Sequence, residues 1–286
     1  MQSLYKKLHD KNRIIVMPGV YDALSARIAE QTGFEVVFQS GYSVSAGVLG
    51  MPDYGFLNAG ETVEQARKIV RAISIPLIVD IDTGYGNPLT VWRLIRDLES
   101  AGAAGVFLED QVWPKRCGHM SGKQVVPVDD YIPKLKAAVE AKRSKEFVIV
   151  ARTDAIAPLG LDEAIKRGQE YRRIGADAVF VEAPRTLDDL KRIARSVDAP
   201  LVANMMEGGK TPLLSAEELR NIGFRLVVFP LTALFAATHA MREAFQTLKV
   251  KGVTKSVMKR MVTFEEFNRF VDLPKYKHLE QKYRIA

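Results

Sequence analysis

Eight short, nearly continuous apolar runs recur along the chain, at residues 14–17, 36–38, 76–79, 105–108, 147–150, 178–181, 200–203 and 226–229. They are rich in Val and Ile, and their lack of alternation predicts strands buried on both faces. Between them lie amphipathic segments with helical spacing, including 62–73, 89–101, 161–174 and 215–222. Thr62, with Gln65 three residues on, and Ser215, with Glu218, read as helix-starting caps. Ala101-Gly102 and Ile174-Gly175 read as helix ends.

Eight strands alternating with helices, with no Pro/Gly/Ser linker between them, predict an α/β chain folded as a single (β/α)8 TIM barrel. The domain spans residues 1–286, with a helical extension from about residue 232. A doubly wound open sheet would more often place a glycine-rich phosphate turn after the first strand, and MPGVYDAL has none.

Active sites of this barrel sit at the carboxyl ends of the strands. The residues just past the runs are Ser40-Gly41-Tyr42, Asp80-Ile81-Asp82, Glu109-Asp110, Arg152-Thr153-Asp154, Glu182 and Asn204. Polar groups at so many ends of one barrel favour an enzyme over a scaffold.

The only cysteine, Cys117, lies in Lys115-Arg116-Cys117-Gly118-His119. Those neighbours do not build a core strand or helix face, and cations beside a thiol favour its thiolate. Cys117 therefore reads as a reactive or substrate-contacting group on a polar loop. A single cysteine forms no internal disulfide and suits a reducing cytosol. The start, MQSLYKKLHDKNR, lacks the apolar stretch of a signal peptide, and no segment reaches membrane-span length, so the expected location is cytoplasmic.

Asp80 and Asp82 share a face if the strand period of two continues through them. Two carboxylates so close repel unless a cation or proton is shared. With oxygen donors only, the pair points to Mg²⁺, with Mn²⁺ second, and Glu109 and Asp110 stand ready to complete the shell directly or through water. Gly208-Gly209-Lys210-Thr211 fails as a phosphate loop because Asn204 stands where its first glycine belongs. The formal charge of +7 comes from Lys and Arg spread beside Asp and Glu. It reads as a solvated surface that steers an anionic substrate, not as a nucleic-acid or membrane interface.

SGYSVSAGVLGMPD, VDIDTGYGN, the GVFLEDQ–PKRCGH segment, ARTDA, FVEAP and the Asn204 strand end resemble the isocitrate lyase/phosphoenolpyruvate phosphonomutase superfamily. The likeness runs from about residue 16 to 231 and is greatest for the smaller lyases of 2-methylisocitrate and 2-alkyl or dimethyl malates. The phosphonomutase branch is similar in fold but lacks the cysteine loop.

The resemblance implies Mg²⁺ at the strand ends, with Asp80 and Asp82 as metal carboxylates and Asp53 and Glu109 acting through water. It implies Cys117 as catalytic acid, and Ser40, Gly41, Tyr42, Gly118, Arg152, Glu182 and Asn204 as substrate contacts. Lys115 and His119 would lie in a mobile loop over 111–127. Tyr42, or a metal-bound water held by Glu109, would serve as base. It also implies a last helix swapped between subunits and a homotetramer of such dimers.

The reaction implied is cleavage of the C2–C3 bond of a 2-hydroxy acid to an α-keto acid and a carboxylate. A mutase or an oxaloacetate-cleaving hydrolase is the alternative. Methylisocitrate lyases resemble this chain but carry an arginine where Phe235 stands, and a second is replaced around Phe264. Because arginine binds a carboxylate through two parallel hydrogen bonds and phenylalanine cannot, a dicarboxylate with an alkyl substituent is expected over a tricarboxylate.

Overall fold

The computed structural model describes residues 4–10, 12–118 and 122–284. Its strands are β1 (Ile15–Val20), β2 (Val37–Gln39), β3 (Leu77–Asp80), β4 (Gly105–Glu109), β5 (Val148–Thr153), β6 (Ala178–Val181), β7 (Leu201–Asn204) and β8 (Leu226–Phe229). All pair in parallel with their sequence neighbours, and β1 closes on β8 in the register Ile15 to Leu226, so the sheet is a closed barrel. β3 and β7 begin one residue after Pro76 and Pro200. A proline has no amide hydrogen for the ladder, but the two carbonyls accept from Val37 N and Val179 N.

The helices are α1 (Leu4–Leu8), α2 (Ala23–Gln31), α3 (Gly41–Val44), α4 (Ala59–Ala72), α5 (Pro88–Ala101), α6 (Val128–Ala141), α7 (Ile156–Leu159), α8 (Leu161–Ile174), α9 (Leu187–Ser196), α10 (Ala216–Ile222), α11 (Thr232–Lys251), α12 (Phe264–Phe270) and α13 (Leu273–Tyr283). Ser215 caps α10 with Glu218 in the reciprocal pattern expected. Gly102 and Gly175 end α5 and α8 with φ of 93° and 119°, which a side chain disfavours. Thr62 does not start a helix. α4 begins four residues earlier, where Asn58 and Glu61 form the same reciprocal cap, and Thr62 instead packs buried inside it.

The barrel interior is filled by Met17, Phe38, Ile78, Phe107, Val150, Phe180, Val202 and Val228. Leu4 and Leu8 of α1 join that cluster beside Ile15, which places α1 as the plug of the amino-terminal end. Near the other end, Phe38 packs tilted against Phe107 and Phe180 edge-on to it, with ring centroids 4.7 and 5.7 Å apart. These rings floor the mouth, so charged groups above them work against apolar matter rather than water.

α11 differs from the other long helices. It has no buried residue, and Met241, Phe245 and Leu248 are exposed along it. α12 folds back on α2, where Arg27 and Gln31 donate to Phe270 O. Among the described residues no helix is long and apolar enough to cross a membrane.

Candidate active site

The strand ends converge as the barrel requires. Ser40, just past β2, caps α3 by accepting from Ser43 N at 3.3 Å, while Ser43 Oγ donates to Pro230 O, tying the turn to the end of β8. Gly41 leaves space that a Cβ would take from Asp80 Oδ2, 3.1 Å away, and Asp82 Oδ1, 3.4 Å away. Ser40, Tyr42, Asp53, Asp80, Lys115, Cys117, Gly118, Arg152, Glu182 and Asn204 surround an inner chamber of about 40 Å³ above the phenylalanine floor.

Asp80 and Asp82 do face one another, but not through strand alternation. β3 ends at Asp80, and Asp82 sits in the left-handed region with φ 47°, its amide donating to Asp80 Oδ1. A turn, not the pleat, brings the second carboxylate round.

The cation between the acids is Lys115, whose Nζ lies 2.6 Å from Asp53 Oδ1 and 2.7 Å from Asp82 Oδ1 with the side chain 4% exposed. Burial works against its charge, yet Asp82, Asp53, Glu109 and Asp80 hold it well above the ordinary lysine value. In this state Lys115 is thus an anchor seated in the acid cluster. Its charge goes to carboxylates, which corrects the reading of Lys115 as a local activator of the thiol. His119 lies outside the described residues.

One ammonium does not satisfy four acids. Burial, with repulsion from neighbouring carboxylates, outweighs Lys115 and raises Asp82 to about 7. Asp80 is raised by burial as well, and Glu109 far more so despite Arg152. Glu109 Oε1 is buried with no hydrogen-bond partner. An orphaned carboxylate oxygen and acids that resist ionisation are what an all-oxygen donor set shows when a cation would complete it. Among the described residues no three potential ligands are already gathered round one point.

Arg152 crosses the chamber. Asp154 grips it through Nε at 2.8 Å and Nη2 at 3.1 Å, Glu109 Oε2 lies 3.2 Å from Nε, and Glu182 Oε2 lies 3.4 Å from Nη2. Its guanidinium carbon stands 5.1 Å from the Phe180 ring centroid. Asn204 Nδ2 reaches Glu182 at 3.3 Å, so the ends of β5, β6 and β7 are linked. Although burial alone would raise it, Arg152 and Lys123 hold Asp154 well below the usual carboxylate range.

Asp110 is not part of this mouth. Fully buried, it accepts from Thr153 Oγ1, Asp154 N, Arg167 Nη1 and Tyr171 Oη. It therefore braces β5 against α8, which removes it from the expected metal shell. Neighbouring residues on a strand point to opposite faces, and Glu109 took the inner one.

The loop after β4 forms the roof. Gly118 lies directly on the strand ends, where a Cβ would stand 2.5 Å from Arg152 Nη2 and 2.7 Å from Glu182 Cγ. Any side chain there lifts the roof. Gly118→Ala is expected to lower kcat/KM on the order of 10²-fold, the usual effect of displacing reacting groups by about 1 Å, with the melting temperature little changed. Steady-state kinetics beside a thermal melt check this, and unaltered turnover would show that the roof need not close. Cys117, half-buried, borders the same chamber as Tyr42. Burial, with Cys117 and Asp53 nearby, raises Tyr42 above the ordinary tyrosine value. It keeps its proton at neutral pH.

Tyr42, Cys117, Met206 and Leu231 also border an outer chamber of about 350 Å³, closed by Gly208, Gly209, Lys210 and Phe235. Phe235 does stand at the mouth, 42% exposed, but Lys210 shares its chamber, so this end is not wholly apolar. Phe264, 84% exposed at the start of α12, lines neither chamber. Lys210, Lys123 and Asp154 are the participants that motif reading passed over. Asp154 stood in plain view at the end of β5, and both lysines stood in segments already singled out.

A family model described as phosphoenolpyruvate phosphomutase matches residues 5–249. The chain belongs to this family. It is 49% identical over 279 residues to the petal death protein of Dianthus caryophyllus, covering 97% of this chain and 88% of that one. With 2,3-dimethylmalate lyase of Eubacterium barkeri it shares 42% identity over 278 residues, 97% and 96% of the two chains. A solved structure of oxaloacetate acetylhydrolase with 3,3-difluorooxalacetate superposes with a TM-score of 0.93 at 35% identity, covering 98% and 96%. One of 2,3-dimethylmalate lyase, described as a PEP mutase/isocitrate lyase superfamily member, does so with 0.93 at 35% identity, covering 99% and 96%. Family members thus include lyases, mutases and hydrolases on one barrel, and the chemistry of this member rests on its own mouth.

Proposed function

We propose that this family member is a carbon–carbon lyase that cleaves a 2-hydroxy dicarboxylate of the 2-alkylmalate type to pyruvate, or a related α-keto acid, and a carboxylate. The observation that carries this reading is the position of Cys117 at the seam of the two chambers. The inner one, with Arg152, Ser40 and the acid cluster, suits the end of the substrate that becomes the keto acid. The outer one, walled by Phe235, Met206 and Leu231, suits the departing fragment. When the C2–C3 bond breaks, its electron pair goes to C3, and a proton donor at the seam is placed to quench it.

Asp80 and Asp82, with Asp53 and Glu109 beyond them through water, would hold Mg²⁺ or Mn²⁺. The chemistry supplied there is stabilisation of negative charge on the substrate's C2 oxygen. Arg152 pairs with a carboxylate, the Ser40-Gly41-Tyr42 turn offers donors to it, and Asn204 and Glu182 hold the far side. With Tyr42 protonated, the hydroxyl proton would leave to a water held by Glu109, whose carboxyl ionises once a cation offsets its burial. Room for about three waters in an inner chamber of about 40 Å³ does not admit a dicarboxylate. The 111–127 loop opens to load substrate and closes to keep bulk water from the carbanion.

The partner expected beyond the substrate is a second copy of the chain. The exposed apolar residues of α11 to α13 are suited to exchange between subunits, and a tetramer of such pairs is the proposed assembly.

Pyruvate release from 2,3-dimethylmalate and 2-methylisocitrate, and oxalate release from oxaloacetate, each with Mg²⁺ and with chelator, test the activity. Turnover of oxaloacetate alone would replace the lyase with the hydrolase reading, which the likeness to the acetylhydrolase structure favours. Higher kcat/KM is expected for dimethylmalate than for methylisocitrate. A methyl against Phe235 gains about 0.8 kcal/mol per CH₂, whereas a third carboxylate there gives up hydration. Phe235→Arg is expected to shift the ratio of the two kcat/KM values about tenfold toward the tricarboxylate. A wide preference for methylisocitrate in the unaltered enzyme would transfer that role to Lys210.

A further inference from the structure

Lys123 has no place in the mechanism above, yet it is buried like the charges that do. It follows Gly122 on the return leg of the Cys117 loop. There Val112 N donates to Gln124 O and Val126 N to Asp110 O, both at 2.9 Å, so the outgoing and returning legs run together. Its ammonium donates to Asp154 Oδ1 at 2.7 Å, with the two side chains 1% and 0% exposed. Lys115, on the outgoing leg, is seated in the same manner in Asp53 and Asp82. The roof is thus fastened at both legs by a buried lysine set into a carboxylate of the barrel.

Asp154 is also the carboxylate that grips Arg152, and charges alternate from the loop inward: Lys123, Asp154, Arg152, then Glu109 and Glu182. Without Lys123, Arg152 would stand alone against three carboxylates and retain little attraction for an anionic substrate. With it, Asp154 is neutralised while its two oxygens still aim the guanidinium.

We infer that Lys123 is a positioning residue, which couples closure of the Cys117 loop to the competence of Arg152 by neutralising and fixing Asp154. The loop-fastening half stands on the ion pair alone. The half concerning Arg152 rests on the proposed role of that arginine in binding a substrate carboxylate.

Cys117 is the chain's only cysteine, so its reaction with 5,5′-dithiobis(2-nitrobenzoate) reports the roof without reference to turnover. Lys123→Met in the full-length protein is expected to raise that rate at least tenfold and to raise KM for 2,3-dimethylmalate at least tenfold, with a smaller change in kcat. Loss of a cation by itself would lower the thiolate fraction and slow labelling, so the sign separates release of the roof from a change in the thiol. Lys123→Arg, which keeps the charge, is expected to stay within about threefold of the unaltered protein in both measurements. If Lys123→Met is poorly folded by thermal melt, Lys123→Met/Asp154→Asn removes the unneutralised carboxylate and should show the same fast labelling. Unchanged labelling in a folded variant, or a KM effect that arginine does not rescue, would overturn the inference. Fast labelling in a protein that cleaves none of the three acids would sink the lyase reading and leave the loop fastening intact.

Discussion

Replacement of Cys117 by serine is expected to lower kcat for 2,3-dimethylmalate by about 10²- to 10⁴-fold, the range that positioned proton transfer supplies, while KM changes little. The sulfur and the hydroxyl are similar in size, so the roof closes as before. A serine hydroxyl, however, is a far weaker acid than a thiol, and the proton matters only once the C2–C3 bond is breaking. An effect confined to kcat identifies a group used in the transition state and not in ground-state binding. Cys117, half-buried, borders both chambers, as Tyr42 does, but burial raises Tyr42 above the ordinary tyrosine value and makes it the poorer proton donor. Steady-state kinetics of the two proteins decide the matter. An unaffected rate would mean that the carbanion is quenched elsewhere or never forms, and the mutase and hydrolase readings would return.

Asp82→Asn is expected to abolish metal-dependent turnover and at the same time to stabilise the metal-free protein at pH 8. Its carboxyl is raised to about 7 by burial and by Asp80 and Asp53, in spite of Lys115. An acid whose folded pKa lies above its unfolded value of about 3.9 binds more protons in the native state between those limits. Stability therefore falls as pH rises through that window, by up to about 1.4 kcal/mol per unit of pH. Asparagine removes the penalty, and Lys115 keeps Asp53 as its partner. Melting temperatures in chelator should favour the variant at pH 8, and the difference should shrink toward pH 5. A variant less stable than its parent at pH 8 would show that Lys115 already compensates Asp82. Full activity in excess chelator would remove the metal from the mechanism.

The Asp82 case also shows where reading the chain stopped. That two acids lie two residues apart was visible. Their meeting was expected from strand alternation, and it comes instead from a left-handed turn at Asp82 that no propensity for aspartate requires. Glu109 and Asp110 looked equivalent, but only one of two successive strand residues can face the mouth, and the barrel's closure decided which. The Lys115-Arg116-Cys117 cluster suggested cations serving a thiol. In the fold Lys115 answers to Asp53, a residue 62 positions earlier. Gly118 matched the motif, while the reason for a glycine, contact with Arg152 and Glu182, exists only between distant strands.

By itself the sequence determined the strands, the cap at Ser215 and the helix ends at Gly102 and Gly175, the closure of eight βα units into a barrel, and the set of polar groups delivered to its mouth. These follow from local periodicity, from backbone preferences and from the handedness that places every strand end on one face. Only the tertiary structure decided which charges pair, which acid turns outward to brace α8, how the two lysines fasten the roof, and that the mouth divides into a small polar chamber and a larger one with an apolar wall. Those outcomes depend on distances between residues far apart in the chain, and ion pairing in a desolvated mouth is settled by such distances and by burial, neither of which one strand or loop carries alone.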